Sequence, residues 1–241
     1  MTEPARGTLY VCGTPIGNLK DTTFRLLEVL KEVDAVFCED TRRTLKLLAH
    51  FDIRKPLISL HQHVERERTV RVLDFLRQGK SVAIVSDAGM PAISDPGAYV
   101  VNAARDDGHR ILVVHGPSSV SGALAVSGFP ADRFVFAGFP PRKPKERRRF
   151  FLEWVRPGVT AVFFESPFRV KKALADLSTV FPDCNVRLCH EMTKIHESVI
   201  AGTVSEVLID LKEETLQGEW VVVVRLDPGS DQEDATGETQ P

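Results

Sequence analysis

Cysteine is scarce in this sequence of 241 residues: four occur, and no two of them are spaced as C-x-x-C. That spacing is the usual mark of structural zinc sites and of thioredoxin-type redox centres, so both kinds of site lack support. Cys12, Cys38 and Cys189 lie in or beside apolar, β-branched runs, and Cys184 follows Pro182-Asp183. We interpret all four as reduced, buried, small hydrophobic side chains.

Long hydrophobic runs are also lacking. No apolar run approaches the ~20 residues that a membrane-spanning helix needs. Residues 1–6 lack the apolar core of a secretory signal peptide. The composition, 43% hydrophobic and 27% charged, is that of a globular protein, and a formal net charge of −2 gives no overall attraction to nucleic acid or to membranes. The sequence therefore predicts a soluble, cytoplasmic protein in which any nucleic-acid-binding surface is local.

Short apolar segments alternate with amphipathic segments of helical period. In the first half, strands are predicted at 9–12, 35–38, 81–85 and 110–114, and helices at 22–31, 42–51, 64–78 and 99–104. In the second half, strands are predicted at 134–137, 159–164, 186–189, 199–204 and 220–226, and helices at 145–154, 169–180 and 205–211. This alternation is typical of an α/β fold with a largely parallel sheet. Two strands flank Lys194 without room for a crossover helix, which predicts antiparallel pairing in the second half.

The pattern restarts after Gly116-Pro117-Ser118-Ser119, where we place a domain boundary. Residues 1–116 are predicted to form one α/β domain and residues 117–228 another. Residues 229–241 are acidic and have no apolar anchor, so we predict a disordered tail.

Four turn-rich segments each follow a predicted strand. They are residues 13–18, 39–43, 86–97 and 115–119. Ligands of open α/β sheets bind beyond the carboxyl ends of the strands, so these loops together predict a binding cleft. The first of them, Gly13-Thr14-Pro15-Ile16-Gly17-Asn18, matches neither the dinucleotide-binding nor the P-loop pattern. In this loop, Gly13 and Gly17 would let a ligand approach the backbone.

Two of the other loops carry carboxylates. The segment from Ser86 to Gly97 holds two Asp, two Gly and two Pro, and this stiffness favours a functional loop over a plain connector. Within it, Asp87 is the expected ligand contact, whereas Asp95 could simply cap the following helix. In the segment 39–43, Asp40 either caps a helix or belongs to a site. Arg42 and Arg43 would lie in the first turn of that helix, where the helix dipole disfavours positive charge. Capping alone therefore does not explain them, and the functional alternative stays open.

Two further patterns concern metal and RNA. His61-Gln62-His63 could suggest a metal site, but no third ligand is evident, so no metal is expected. The segment from Arg142 to Arg149, here called the basic segment, holds six positive charges and predicts a phosphate-binding patch; a solvated helix face is the alternative. The residues predicted to bind nucleic acid are Arg42, Arg43, Arg142, Lys143, Arg147, Arg148 and Arg149.

Several segments in fixed order carry a resemblance. They are residues 9–19, 39–42, 86–89, 93–97, 116–118, 141–143, 164–167 with Arg169, 191–194 with Glu197, and 218–219. This combination resembles the bacterial ribosomal RNA small subunit methyltransferase I family of the tetrapyrrole-methylase superfamily. The sequence departs from the family pattern at Val64, Met90 and Phe168, where Asn, Thr and His are usual.

The resemblance implies two α/β domains of the class III methyltransferase type with an interdomain cleft. It further implies S-adenosylmethionine as the methyl donor, no metal, and a homodimer that methylates the 2′-oxygen of a cytidine in the decoding centre of 16S rRNA, within the 30S subunit. The donor-binding residues that it implies are Pro15, Ile16, Asp87, Ala88, Gly89, Met90, Ser118, Ser119, Phe164, Met192 and Glu219.

The residue that handles the proton stays open. A ribose hydroxyl is a poor acid, so a base or a stabilising cation is expected beside it. The predicted catalytic residues are Glu39, Asp40 and Lys194, and Asp87 and Glu191 are further candidates. Lys194 could act as a base if burial lowered its pKa. Two other functions compete: methylation of a small molecule such as a tetrapyrrole, and RNA binding without catalysis.

Overall fold

A computed structural model describes residues 7–211 and 217–227, which form two compact units. The division falls after Ser118, two residues beyond the boundary predicted after Gly116, so that Ser118 belongs to the first unit and Ser119 to the second. The tail predicted at 229–241 lies outside the described residues.

The first unit is a five-stranded, all-parallel sheet in the order β3-β2-β4-β1-β5, as the strand–helix alternation predicted. Its strands are β1 (Thr8–Cys12), β2 (Ala35–Cys38), β3 (Leu57–Ser59), β4 (Val82–Val85) and β5 (Arg110–Val114). Its helices are α1 (Phe24–Glu32), α2 (Thr41–His50), α3 (Glu65–Arg77) and α4 (Ala98–Asp106). The short strand β3 was not predicted.

Apolar side chains leave the central strands of this sheet on alternate faces, because successive strand residues point in opposite directions. In β4, Ala83 and Val85 join a cluster with Leu26 of α1, whereas Val82 and Ile84 join a cluster with Val72 of α3. All four residues of β4 are buried for this reason. The continuous apolar runs seen in the sequence are therefore strands covered on both faces.

The second unit is a mixed sheet in the order β6-β7-β10-β8-β9, in which only β6 and β7 pair in parallel. Its strands are β6 (Phe134–Phe136), β7 (Thr160–Glu165), β8 (Asn185–His190), β9 (Ser198–Thr203) and β10 (Trp220–Arg225). Its helices are α5 (Ser119–Ser127), α6 (Pro144–Trp154), α7 (Pro167–Val180) and α8 (Val204–Asp210). The antiparallel pairing of β8 with β9 confirms the prediction made from the segment around Lys194.

Helix α5 was not predicted, because its apolar residues show almost no helical periodicity in the sequence. It packs on one face of the mixed sheet with Val162 and Val221, while α6, α7 and α8 cover the other face. Among the residues that the model describes, no helix is long and apolar enough to cross a membrane.

Candidate functional site

The four loops singled out in the sequence follow four neighbouring strands of the parallel sheet, in the order β2-β4-β1-β5. The last residues of these four strands are paired with one another across the sheet: Cys38 and Cys12 both pair with Val85, and Cys12 also pairs with Val114. The loops therefore leave the sheet at the same height and from the same edge. This confirms the prediction that they share the carboxyl edge of the sheet.

The first and third loops are bonded directly to each other. Thr14 and Gly89 exchange two backbone hydrogen bonds, of 2.9 and 3.1 Å. The Thr14 hydroxyl donates to the carbonyl oxygen of Ser86 at 3.1 Å, and the Ser86 hydroxyl donates to the carbonyl of Gly89 at 3.2 Å. Both hydroxyl-bearing residues are only 3% exposed. Their role in joining the loops was missed in the sequence, where they looked like ordinary turn residues.

Gly13 is packed against protein and not open to a ligand, which corrects the expectation stated above. A Cβ atom on Gly13 would lie 2.5 Å from the Met90 sulfur and 2.8 Å from the Cα atom of Gly116. The absence of side chains at Gly13 and Gly116 therefore lets the first and fourth loops touch. Met90, which replaces the usual Thr, fills space against the first loop.

Gly89, by contrast, is packed less tightly. Its φ is +81°, a conformation that side-chain-bearing residues rarely adopt, and a Cβ there would come no closer than 3.5 Å to Ile16. Pro15 lies nearby, in the wall of a small cleft of about 160 Å³ that also includes Thr14, Arg43 and Asp87. Pro15, Arg43 and Asp87 form the accessible part of this cleft.

The long loop 86–97 is held under strain. Ala92 and Ser94 both have positive φ, at 67° and 61°. Such residues persist only where their surroundings over-determine them. One such constraint comes from α3: the Glu65 carboxylate accepts hydrogen bonds from the backbone N–H groups of Gly97, at 2.8 Å, and Tyr99, at 3.2 Å. Glu65 thus caps α4, and the suggestion that Asp95 is the cap is wrong. Nothing in the local sequence marks Glu65, because the residues it binds lie 32 and 34 positions away.

Three carboxylates interact electrostatically at the edge of the sheet. Asp87 accepts a hydrogen bond from the backbone N–H of Asp40 at 3.0 Å and lies 3.6 Å from the Arg43 guanidinium. Burial, and then the charge of Asp87, raise the pKa of Glu39. Burial, and then the charge of Glu39, raise the pKa of Asp95 to about 6. This edge therefore brings several carboxyl groups close together.

Asp40 is the N-cap of α2, as one of the two alternatives predicted. Its carboxylate accepts from the backbone N–H of Arg42 at 2.8 Å and binds the Arg42 guanidinium through both oxygens, at 3.0 and 2.7 Å. These hydrogen bonds from Arg42 hold the pKa of Asp40 well below its usual range. A carboxylate so stabilised is a poor proton acceptor, which argues against Asp40 among the candidate bases. Arg42 itself remains 87% exposed.

In the second unit, Lys194 lies between two carboxylates. Its ammonium group is 2.8 Å from Glu191 and 3.1 Å from Glu219. Burial acts to lower the pKa of Lys194, but the hydrogen bonds to Glu191 and Glu219 outweigh it, so the pKa is raised. Lys194 therefore stays protonated at neutral pH, and the suggestion that burial makes it a base is wrong.

The Lys194 network shapes the backbone around Met192. Glu191 and Thr193, its two neighbours, have positive φ, at 49° and 66°. Glu191 also accepts from the backbone N–H of Glu219 at 2.9 Å. The Thr193 N–H donates to Glu197 at 2.9 Å, so each of the two strained neighbours of Met192 is held by its own side-chain interaction.

Met192 and Phe164 meet in an apolar cluster of the second unit. Both pack on the face of the mixed sheet that α5 covers, and a Cβ atom on Gly122 of α5 would lie 2.8 Å from the Met192 methyl group. Of the other predicted donor residues, Ser118 ends the first unit and Ser119 begins α5. Ala88 lies between Asp87 and Gly89 in the third loop.

The basic segment divides into exposed and buried arginines. Arg142, Lys143, Lys145 and Arg149 are exposed. Arg147 instead has a side chain only 4% exposed, bound to Asp176 of α7 and to the carbonyl oxygen of Arg142. The prediction that Arg147 contacts RNA is wrong, because its guanidinium is enclosed by protein.

Arg148 has an intermediate position. Its guanidinium lies 2.9 Å from the second oxygen of Asp176, and its side chain is 40% exposed. The sequence carries one signal for the burial of Arg147. Arg147 precedes the buried Phe151 by four residues, so the two side chains lie on the same face of α6.

The two histidines of the His61-Gln62-His63 segment have ring centroids 6.0 Å apart. Within residues 7–211 and 217–227, no group of three or more His, Cys, Asp or Glu side chains is placed to hold a metal ion. The family departure at Val64 has a visible consequence, since Val64 occupies the N-cap of α3 and gives it no side-chain cap.

Comparison with known proteins identifies the family to which this fold belongs. The family model of the tetrapyrrole (corrin/porphyrin) methylases matches residues 8–208. Among solved structures, uroporphyrin-III-C-methyltransferase from Thermus thermophilus has a TM-score of 0.64 at 24% identity, covering 91% of this chain and 94% of that one. Diphthine synthase has a TM-score of 0.65 at 15% identity, covering 90% and 89%. At these identities the similarity shows the fold alone.

Closer relatives share more of the sequence. "Ribosomal RNA small subunit methyltransferase I" of Thermotoga maritima is 44% identical over 218 residues, which are 90% of this chain and 98% of the relative. The protein of the same name from Halalkalibacterium halodurans is 43% identical over 219 residues, or 91% of this chain and 76% of the relative. The chain therefore belongs to the tetrapyrrole methylases and, within them, to the ribosomal RNA small subunit methyltransferase I family.

Proposed function

We propose that this protein transfers a methyl group from S-adenosylmethionine to the 2′-oxygen of a cytidine ribose in the decoding centre of 16S rRNA. It acts as a cytoplasmic homodimer on RNA within the 30S subunit. The observation that carries the proposal is the 42–44% identity, over nine-tenths of the chain, to proteins named as ribosomal RNA small subunit methyltransferases. The four loops aligned at one sheet edge support it, since α/β sheets bind ligands there.

The residues at that edge fit the donor. S-adenosylmethionine supplies a methyl group on a positively charged sulfur and carries a positively charged amino group. In the first unit, the carboxylate of Asp87 suits these cations, and Gly89 places no side chain between a ligand and the backbone. The proposed donor residues of this unit are Pro15, Ile16, Asp87, Ala88, Gly89, Met90 and Ser118.

In the second unit, the apolar Phe164 and Met192 suit the adenine ring of the donor, because planar rings pack favourably on aromatic and thioether side chains. The proposed donor residues of this unit are Ser119, Phe164, Met192 and Glu219. Lys194 holds Glu219 and Glu191 in place and so acts as a positioning residue.

Glu39 is the proton acceptor that the chemistry favours among the three predicted catalytic residues. Asp40 is bound by Arg42 and Lys194 stays protonated. The pKa of Glu39 is raised by burial and by Asp87, which makes its carboxylate a stronger base than an ordinary glutamate. It can therefore take the proton that leaves the ribose hydroxyl.

Cations on both units are available to hold RNA phosphates. Arg42 and Arg43 are exposed at the start of α2, and Arg142, Lys143 and Arg149 are exposed in the basic segment. Arg148 adds a partly exposed guanidinium. Contacts of this kind supply affinity and orientation without reading the base sequence.

Methyl transfer can be tested with radiolabelled S-adenosylmethionine and 30S subunits from a strain that lacks this methylation. We expect label on one cytidine ribose of the decoding centre, located by nuclease mapping. Naked 16S RNA and a tetrapyrrole such as uroporphyrinogen serve as parallel substrates. Label on the tetrapyrrole alone, or on no substrate, would overturn the proposal.

In the same assay, Glu39→Gln is expected to lower kcat by about 10²-fold or more, because general base catalysis contributes about that much. Binding of S-adenosylhomocysteine, measured by calorimetry, should change little. Asp40→Asn is the matched control, since it removes a neighbouring carboxylate that Arg42 already occupies. An unchanged kcat in Glu39→Gln would exclude Glu39 as the base and leave the methyl-transfer proposal standing.

A further inference from the structure

A large aromatic side chain stands exposed beside the basic segment. Phe139 is 56% exposed and lies on the turn that follows β6, directly before Pro140 and Pro141. Its ring centroid is 5.4 Å from that of Phe164, whose ring lies 4.8 Å from that of Phe136. The three rings meet edge to face, so that one side of Phe139 rests on protein while the rest faces solvent.

The backbone of this turn is fixed at several carbonyl groups. The Phe164 N–H donates to the carbonyl of Gly138 at 2.8 Å. Arg169 donates to the carbonyl of Pro140 at 2.7 Å, and Arg147 donates to that of Arg142 at 3.1 Å. The turn is therefore tied to β7, α7 and α6 at successive positions.

The two arginines that hold the turn are themselves held by buried carboxylates. Arg169 lies 2.8 Å from Glu165, whose side chain is fully buried, and Arg147 is bound to Asp176. Two consecutive prolines add rigidity, because each fixes its own φ. Phe139 is thus presented to solvent on a preorganised turn, and little conformational freedom remains to be lost when it binds a partner.

The charges around Phe139 indicate what that partner is. Arg142, Lys143 and Lys145 follow within six residues and are exposed. An exposed aromatic ring among cations is the arrangement by which proteins bind single-stranded nucleic acid, with the base on the ring and the phosphates on the cations. An apolar protein partner would find this surface too strongly charged, since charged residues are depleted at the cores of protein interfaces.

We propose that Phe139 stacks on an unpaired base of the RNA substrate while Arg142, Lys143 and Lys145 contact its phosphates. This inference rests on the proposed function and adds a base-binding residue to it. Arg147 and Arg169 act on the RNA only through the turn that they hold, as positioning residues.

Stacking can be separated from charge with two RNA probes of equal length and charge. One is a fluorescein-labelled single-stranded RNA oligonucleotide, and the other carries abasic riboses at the same positions. We expect the wild-type protein to bind the base-containing probe roughly ten-fold more tightly than the abasic probe. Phe139→Ala should remove most of this difference, and Phe139→Trp should keep it.

Two control variants separate the contribution of base stacking from that of the phosphate contacts. Phe24→Ala removes an aromatic ring that is 88% exposed on α1, and it should leave the ratio of the two affinities unchanged. Lys143→Ala should weaken the binding of both probes equally and lower the salt dependence of binding. Equal ratios for the wild type and Phe139→Ala would overturn the inference.

A last measurement distinguishes the RNA base from the adenine of the methyl donor. The fluorescence of Phe139→Trp, corrected for the two native tryptophans with wild-type protein, should be quenched by RNA and not by S-adenosylhomocysteine alone. Quenching by S-adenosylhomocysteine alone would overturn the assignment to RNA. Methyl transfer to 30S subunits is measured separately. A wild-type protein without activity contradicts the proposed function. An active Phe139→Ala whose KM for the 30S subunit is unaltered contradicts the stacking.

Discussion

Replacing Arg147 with alanine is expected to lower the free energy of unfolding by about 3 kcal/mol. Breaking a buried ion pair by removal of one partner costs roughly 3–5 kcal/mol, because the other charge is left buried without compensation. The lower end applies here, since Arg148 still binds one oxygen of Asp176, at 2.9 Å. Urea unfolding followed by circular dichroism measures the change directly.

Arg149→Ala is the matched control for Arg147→Ala. The two residues lie two positions apart on α6, but Arg149 is exposed, and exposed substitutions usually change stability by less than about 0.5 kcal/mol. RNA binding should show the reverse order at temperatures where both variants are folded, with Arg149→Ala losing affinity through its lost phosphate contact. Equal stability of the two variants would show that Arg147 is not the structural residue that we describe.

Gly116→Ala is expected to reduce methyl transfer by about 10²-fold and to weaken donor binding. A Cβ at this position would lie 2.5 Å from the carbonyl carbon and oxygen of Gly13. Those are backbone atoms, so the first and fourth loops must separate, and a shift of about 1 Å in a catalytic site can cost about 10²-fold in rate. Overpacking should also lower the free energy of unfolding by about 1–3 kcal/mol.

Gly128→Ala controls for the added methyl group. Gly128 directly follows α5 in the second unit, with φ +70° and nothing within 4 Å of the added Cβ. Backbone strain should cost about 1 kcal/mol of stability there, while methyl transfer stays near the wild-type rate. If Gly116→Ala retains as much activity as Gly128→Ala, contact between the two loops is not needed for the site.

Strand positions and the type of fold could be predicted from the sequence because they depend on local apolar patterns. The run Val82–Val85 is apolar throughout, and a short run of this kind, rich in β-branched residues, is typical of a strand covered on both faces. Helix α5 could not be predicted in this way, since its exposed face carries the apolar residues Ala125 and Val126, and a helix without a polar face does not reveal its period.

The candidate site was predicted in outline for a similar reason. Gly89 and Asp87 lie directly after a buried strand, and the carboxyl ends of parallel strands meet at one edge. The functions of single charged residues could not be predicted, because the role of a charged side chain depends on which groups it pairs with in the folded protein. The ion pairs of Lys194 with Glu191 and Glu219, for example, are seen only in the tertiary structure.

The sequence by itself determined the alternation of strands and helices, the position of the loops and the family resemblance, all of which lie in local pattern and order. Only the tertiary structure decided which residues of the basic segment face solvent. Apart from the spacing of Arg147 to Phe151, little in the local sequence separates Arg147 from Arg149, but Asp176, 29 residues after Arg147, binds the buried Arg147 side chain, whereas Arg149 is exposed. The physical reason is that burial and ion pairing depend on distances between residues far apart in sequence, which no local pattern encodes.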